Sequence, residues 1–212
     1  MSQQDSVDAL IRDQGVLFSE GMGAIISRNT PQELFHWLCG SILLAARISS
    51  DLAVQAAQGL RSEGLHTVDA LVAADEATIM RCLGENGYKR YDGVGTDYLK
   101  ATARLVQDHY NSDLRNMLDD DPDAVLGRLK EAKGLGDTGA GIFARETQLV
   151  WDVFYPRLDG PAIRAAETLG LTTDHGALVS MAGSRERFVR LAAALTRADL
   201  GAPSEAVRQT VD

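Results

Sequence analysis

The sequence predicts an all-α protein, and three observations carry that prediction. Aromatic residues make up 6% of the 212 residues while alanine and leucine are abundant, a balance that favours helices over a β-sandwich. Helix-start punctuation recurs along the chain. No period-two run of β-branched residues interrupts it. With 45% hydrophobic residues, the chain holds enough apolar material for one large domain or two smaller ones sharing an interface.

In chain order, residues 1–28 form an amphipathic opening segment with Val7, Leu10, Ile11 and Leu17. Thr30-Pro31-Gln32-Glu33 reads as a capping box: a hydroxyl at the cap, proline at the first helical position, and a carboxylate three residues on. Leu34, Phe35, Leu38 and Ile42 give the following helix one buried face. Asp75 opens a short helix through Ile79 and Leu83, with Gly84 placed to close it. Thr96 is the expected cap of a helix carrying Leu99, Ala103 and Val106. Asp121-Pro122 repeats the cap-plus-proline signature before Val125, Leu126 and Leu129. Ser184 precedes a last helix through Phe188, Leu191 and Leu195, and the polar tail from Gly201 is expected to fray. About ten helices result.

Composition removes several function classes. The net charge is −9, from 21 basic and 30 acidic residues, so nucleic-acid binding requires a local basic surface on an acidic body. Cys39 and Cys82 cannot build a disulfide framework or a four-cysteine metal site and read as free buried thiols. The opening residues carry no signal-peptide pattern, and the longest apolar run, Ile42 to Ala46, is too short to span a bilayer. A cytoplasmic monomer is expected. His36 and Cys39, three apart on one helix, are two ligands and not a zinc site. Asp119-Asp120-Asp121-Pro122-Asp123 reads as a solvated helix entrance whose charges complement the helix dipole.

The informative stretch runs from Leu129 through Lys133, Gly134, Leu135, Gly136, Asp137, Thr138 and Gly139 to Phe143. A helix ends at Lys133, a Gly-Leu-Gly turn follows, and a second helix begins near Asp137. Glycines let the backbone approach a ligand closely, and the second helix presents unpaired N–H groups, together an anion site sized for one DNA phosphate. Leu135 pins the turn to the core, and a side chain at Gly134 or Gly136 is expected to strain it. A plain αα-corner uses glycine in the same way and stands beside the DNA reading.

This stretch resembles the helix–hairpin–helix of the endonuclease III superfamily of DNA glycosylases, whose pattern is roughly Leu-Pro-Gly-Val-Gly-Arg-Lys-Thr-Ala. Downstream, Leu158-Asp159-Gly160-Pro161-Ala162-Ile163-Arg164 and the closing Leu169-Gly170-Leu171 are similar to the family's catalytic-aspartate segment. Upstream, Pro31 to Ala57, with Ser41 to Ser50, is similar to its first core helix and the turn that follows. The resemblance covers residues 30–172. It implies a glycosylase-like fold of two helical lobes with a DNA cleft between them: a helical barrel over 51–133, and a second lobe from 1–50 plus 134–212. The implied partner is double-stranded, damaged DNA.

The resemblance assigns roles residue by residue. Asp159 falls at the catalytic aspartate, whose charge would stabilise an oxocarbenium-like sugar as the N-glycosidic bond of a flipped base is hydrolysed. As an aspartate before Gly-Pro it is equally a helix cap. Asp152 is the rival acid, because the loop from Gln148 to Arg157 is longer than the family's and the register can slip there. Thr138 stands where lyase-competent members carry a lysine, and a hydroxyl forms no Schiff base, so the implied chemistry is monofunctional. The cluster cysteines of many members are absent, so no iron–sulfur cluster or other cofactor or metal is expected. Arg47 falls where the family fills the gap left by the flipped base, and also reads as a surface arginine lying over a helix end. Lys133, Gly134, Leu135, Gly136 and Gly139 are the implied DNA contacts, with Asp137 opposing a phosphate. Tyr88-Lys89-Arg90-Tyr91 mixes rings with cations, as nucleic-acid surfaces do and as plain surface loops also do. The alternatives are a catalytically inactive DNA-binding protein and a helical protein-interaction domain.

Overall fold

The computed structural model describes Ser2 to Val211, with Thr210 and Val211 as backbone only. Among the described residues the chain is all-helical and forms no strand. The first six α-helices are α1 (Gln3–Gln14), α2 (Phe18–Met22), α3 (Pro31–Leu44), α4 (Ser50–Ser62), α5 (Val68–Ala73) and α6 (Glu76–Leu83). α7 (Asp92–Tyr110), α8 (Pro122–Leu129), α9 (Asp137–Thr147) and α10 (Gly160–Thr168) follow, then α11 (His175–Ala182), α12 (Arg185–Leu200) and α13 (Glu205–Val211).

The chain divides into two compact units, one built from Met1–Phe18 with Ala144–Asp212 and the other from Ser19–Phe143. These boundaries differ from the sequence expectation of 51–133 against 1–50 plus 134–212. Residues 19–50 and 134–143 group with residues 51–133 in one unit, in which α3 packs on α4 and α7.

In the discontinuous unit, α12 is the central helix, packed on α1, α10 and α11. Ser184 caps it, accepting from the Arg187 N–H at 3.2 Å, as its position before the apolar periodicity predicts. Phe188, Leu191 and Leu195 meet Val7 and Leu10 of α1 and Leu178 of α11 in one core. The tail does not simply fray: α13 forms, Val207 is buried in that core, and the Gln14 side chain accepts from the Ser204 N–H at 3.0 Å.

In the contiguous unit, α3 is buried along nearly its whole length. Two expected caps are corrected here. Thr30 makes no side-chain cap bond, and the Glu33 carboxylate does not reach back to complete the box. Glu33 is instead enclosed and bonded by both Arg61 guanidinium nitrogens, at 3.0 and 3.1 Å, and by the Ile25 N–H at 2.8 Å. Thr96 is buried inside α7, which begins four residues earlier at Asp92. Asp75 and Asp121 cap α6 and α8 as expected. Gly84 stays right-handed and leads into a π-type turn, Gly84–Tyr88, rather than stopping the helix outright.

Candidate nucleic-acid interface

α8, the turn after it and α9 as far as Phe143 form a helix–turn–helix stretch inside the contiguous unit. Ala132 and Leu135 are buried, and the Leu135 N–H donates to the Ala132 carbonyl at 3.0 Å, so the turn is anchored from below. Gly134 has φ +82°, a left-handed backbone, and a Cβ there would lie 2.1 Å from the Tyr98 ring. At Gly139 a Cβ would lie 2.6 Å from Leu135 and 3.4 Å from Ala45, so this glycine lets α9 sit on Leu135 and on the turn after α3. Gly136 is different. Its φ is not positive, a Cβ there would meet nothing within 4 Å, and it is exposed, so the expected strain at this position does not arise.

The charges around the turn are partly neutralised within the chain. Lys133 donates to Asp97 at 2.6 Å, and Lys130 donates to Asp137 at 2.9 Å. Asp137 opens α9 with its side chain in solvent, and Thr138 beside it is exposed. Arg47, in the turn between α3 and α4, is exposed and makes no ion pair with a described residue. The Tyr88–Tyr91 stretch splits into core and surface. Tyr88 is buried and its hydroxyl donates to the Leu43 carbonyl at 3.2 Å, so it is a core ring and not a surface one. Burial pushes its hydroxyl up to about 12. Lys89 and Arg90 are exposed, with the Arg90 guanidinium 5.4 Å from the Tyr91 ring centre.

The two candidate acids belong to the other unit and differ sharply. Asp152, in a 3-10 turn, is 94% exposed and paired with Arg185. Asp159 is 9% exposed and caps α10, accepting from the Ala162 N–H at 3.2 Å. Its other oxygen receives Arg145 Nη1 at 2.7 Å, and the Thr196 hydroxyl lies 3.3 Å from the first. Both carboxylate oxygens are therefore engaged.

Arg145 is the residue that sequence reasoning missed. It is 2% exposed, stacked 4.8 Å from the Phe18 ring and beside Glu146, which accepts from the Phe18 N–H at 2.8 Å. The adjacent Arg145-Glu146 pair between the apolar Ile142-Phe143-Ala144 and Leu149-Val150-Trp151 was the available signature, since charges flanked this way are often buried and paired. Gln148 was missed as well. Its amide group donates to the carbonyls of Arg145 and Arg157, at 2.7 and 2.8 Å, and accepts from the Arg157 N–H at 2.7 Å, closing the long loop at its base.

His36 and Cys39 are both buried. The His36 ring bonds the Met22 carbonyl at 3.0 Å, and its ring centre lies 5.7 Å from that of His66. Among the described residues no group of three or more His, Cys, Asp or Glu is placed to hold a metal. Asp119 pairs with Arg128 and Asp121 caps α8, in line with a solvated helix entrance. Comparison with protein-family models, curated proteins and solved structures gives no match.

Proposed function

We propose that the chain binds duplex DNA through the α8–α9 hairpin, as a helix–hairpin–helix protein of the endonuclease III type. The observation that carries this reading is the construction of the turn. A left-handed Gly134 seats the chain against Tyr98 and Leu135 is buried beneath, while Gly136 and Thr138 stay exposed with open space over Gly136. Close backbone approach and the first amides of α9 suit a phosphodiester oxygen.

The second reading adds hydrolysis of an N-glycosidic bond by Asp159. Its position as the cap of a Gly-Pro helix favours this, and its pairing weighs against it. A carboxylate bonded to Arg145 at 2.7 Å has its charge offset where a cationic sugar would need it. The balance favours DNA binding without excision.

Duplexes holding uracil, oxidised, alkylated and abasic sites test both readings. Salt-dependent binding to all of them, without base release, is the expected result. Absence of binding at low salt refutes the hairpin reading. Base release that is lost in Asp159→Asn but kept in Asp152→Asn establishes the hydrolytic one. With Thr138 at the lysine position, borohydride traps no covalent complex in either case.

A further inference from the structure

The hairpin supplies exposed backbone but little free charge, since Lys130 and Lys133 are both held by aspartates. An acidic protein that binds a polyanion must find its positive charge elsewhere. Most cations of the contiguous unit are already committed: Arg28 and Arg61 to Glu33, Arg81 to Glu63 and Glu85, Arg115 to Asp113, and Arg128 to Asp119. Lys100 is spent on the Val72 and Ala74 carbonyls at the end of α5.

Four exposed cations of this unit make no ion pair with a described residue: Arg47, Lys89, Arg90 and Arg104. Three of them lie on the two chain segments that one contact of the fold ties together. Tyr88, immediately before Lys89 and Arg90, is tied by its hydroxyl to the Leu43 carbonyl. Ala45, two residues further, is the residue that Gly139 of the hairpin helix abuts. Arg47 follows two residues after that. Of the described carboxylates near these cations, Asp92 accepts from the Gly93 N–H at 2.7 Å, Glu85 is paired with Arg81, and Asp51, at the start of α4, is exposed without an ion pair to a described residue.

We infer that Arg47, Lys89 and Arg90 form the charged part of a DNA-backbone surface beside the hairpin, and that Lys130 and Lys133 contribute little to it. The inference rests on the hairpin reading and deepens it by dividing the work. The hairpin gives backbone donors and a close approach, and the two neighbouring loops give the phosphate-neutralising charge. The Arg90–Tyr91 contact adds an aromatic face next to that charge.

Full-length protein, a fluorescent undamaged duplex and a salt titration test the division. The triple variant Arg47→Ala, Lys89→Ala, Arg90→Ala is expected to lose about two to three from the slope of log affinity against log salt, and roughly a hundredfold in affinity at low salt. Removing the hairpin pairs whole, Lys133→Ala with Asp97→Ala and Lys130→Ala with Asp137→Ala, leaves net charge unchanged and is expected to move affinity less than about threefold. Arg104→Ala, an equally free cation, lowers the slope by less than any of the three. Unchanged unfolding midpoints establish that each variant is folded.

The inference is overturned if the hairpin-pair variants lose the slope and the triple variant keeps it, or if Arg104→Ala matches the triple variant. If Gly136→Arg binds the duplex normally while the triple variant does not, the charged surface stands and the hairpin reading falls. If wild type binds heparin through these three cations but no duplex, the assignment to DNA is overturned along with the hairpin reading.

Discussion

Arg145 and Asp159 form an ion pair of 2.7 Å almost wholly removed from solvent. Removing one partner of such a buried pair costs about 3–5 kcal/mol, toward the lower end here because the buried Glu146 carboxylate, 4.0 Å from Arg145, still offsets part of its charge. Asp159→Asn keeps the shape and an acceptor for the Ala162 N–H, so a loss near the lower figure, about 3 kcal/mol, is expected in urea denaturation. Asp152→Asn touches a pair that solvent already screens, and a change under about 0.5 kcal/mol is expected. Equal losses in the two variants would show that Arg145 is satisfied without Asp159.

The hairpin glycines are expected to separate in the same way. Gly134→Ala forces a β-carbon into a left-handed backbone and into the Tyr98 ring, and a loss of about 2 kcal/mol or more is expected. Gly136→Ala meets nothing and stays within about 0.5 kcal/mol of wild type. Gly136→Arg therefore tests binding without testing the fold. Unchanged melting with weakened duplex affinity is the expected outcome, although the variant adds a positive charge.

Stability is expected to fall on acidification before the carboxylates titrate. Burial is the largest cause that holds His36 down at about 4, with the Arg61 charge acting in the same direction against the Met22 carbonyl bond. His66, partly buried beside it, is lowered for the same two reasons. Each binds its proton more readily in the unfolded chain, so stability is lost as pH falls from about 6.5 toward 4. The His36 share is about 3 kcal/mol by the end of that window. Burial raises the Glu33 carboxyl, but its bonds from Arg61 and the Ile25 N–H outweigh that and leave it below its ordinary value. Its contribution is lost only at still lower pH. Urea unfolding at pH 7, 5.5 and 4.5 measures the slope, and His36→Gln is expected to flatten it.

The two thiols are expected to be silent in the native protein. Burial pushes Cys82 up to about 12 and Cys39 higher still, so neither is a thiolate near neutral pH. A disulfide reagent should label neither over minutes and both after denaturation. Rapid labelling of either native thiol would contradict its burial.

Helix content was legible because it is written locally. Asp75, Asp121 and Ser184 each announce a cap within three residues of the N–H that donates to it, and all three do so in the structure. Where a local pattern had a distant competitor, the reading failed. Glu33 fits a capping box, but Arg61, 28 residues on, takes its carboxylate. The small polar tail is a helix because Val207 finds a core made mainly of residues far from it in sequence. The candidate site follows the same rule. The turn at Gly134 and Gly136 was visible in the sequence, whereas the Arg145 partner of Asp159 lies 14 residues away on another helix. Likewise nothing local marks Lys133 as paired with Asp97, 36 residues back.

One unit of this protein is a single stretch, Ser19–Phe143, inserted between the two pieces of the other. Synthesis on the ribosome therefore imposes an order. The inserted unit has all its helices before any of α10 to α13 exists and can close as soon as it clears the exit tunnel. α1, made before all of these, has to wait for α12. At about 5–20 residues per second, its Val7 and Leu10 stand without their core for on the order of 10 s or more. Through that interval the apolar face of α1 has no partner from its own unit, and the discontinuous unit is the last to be completed.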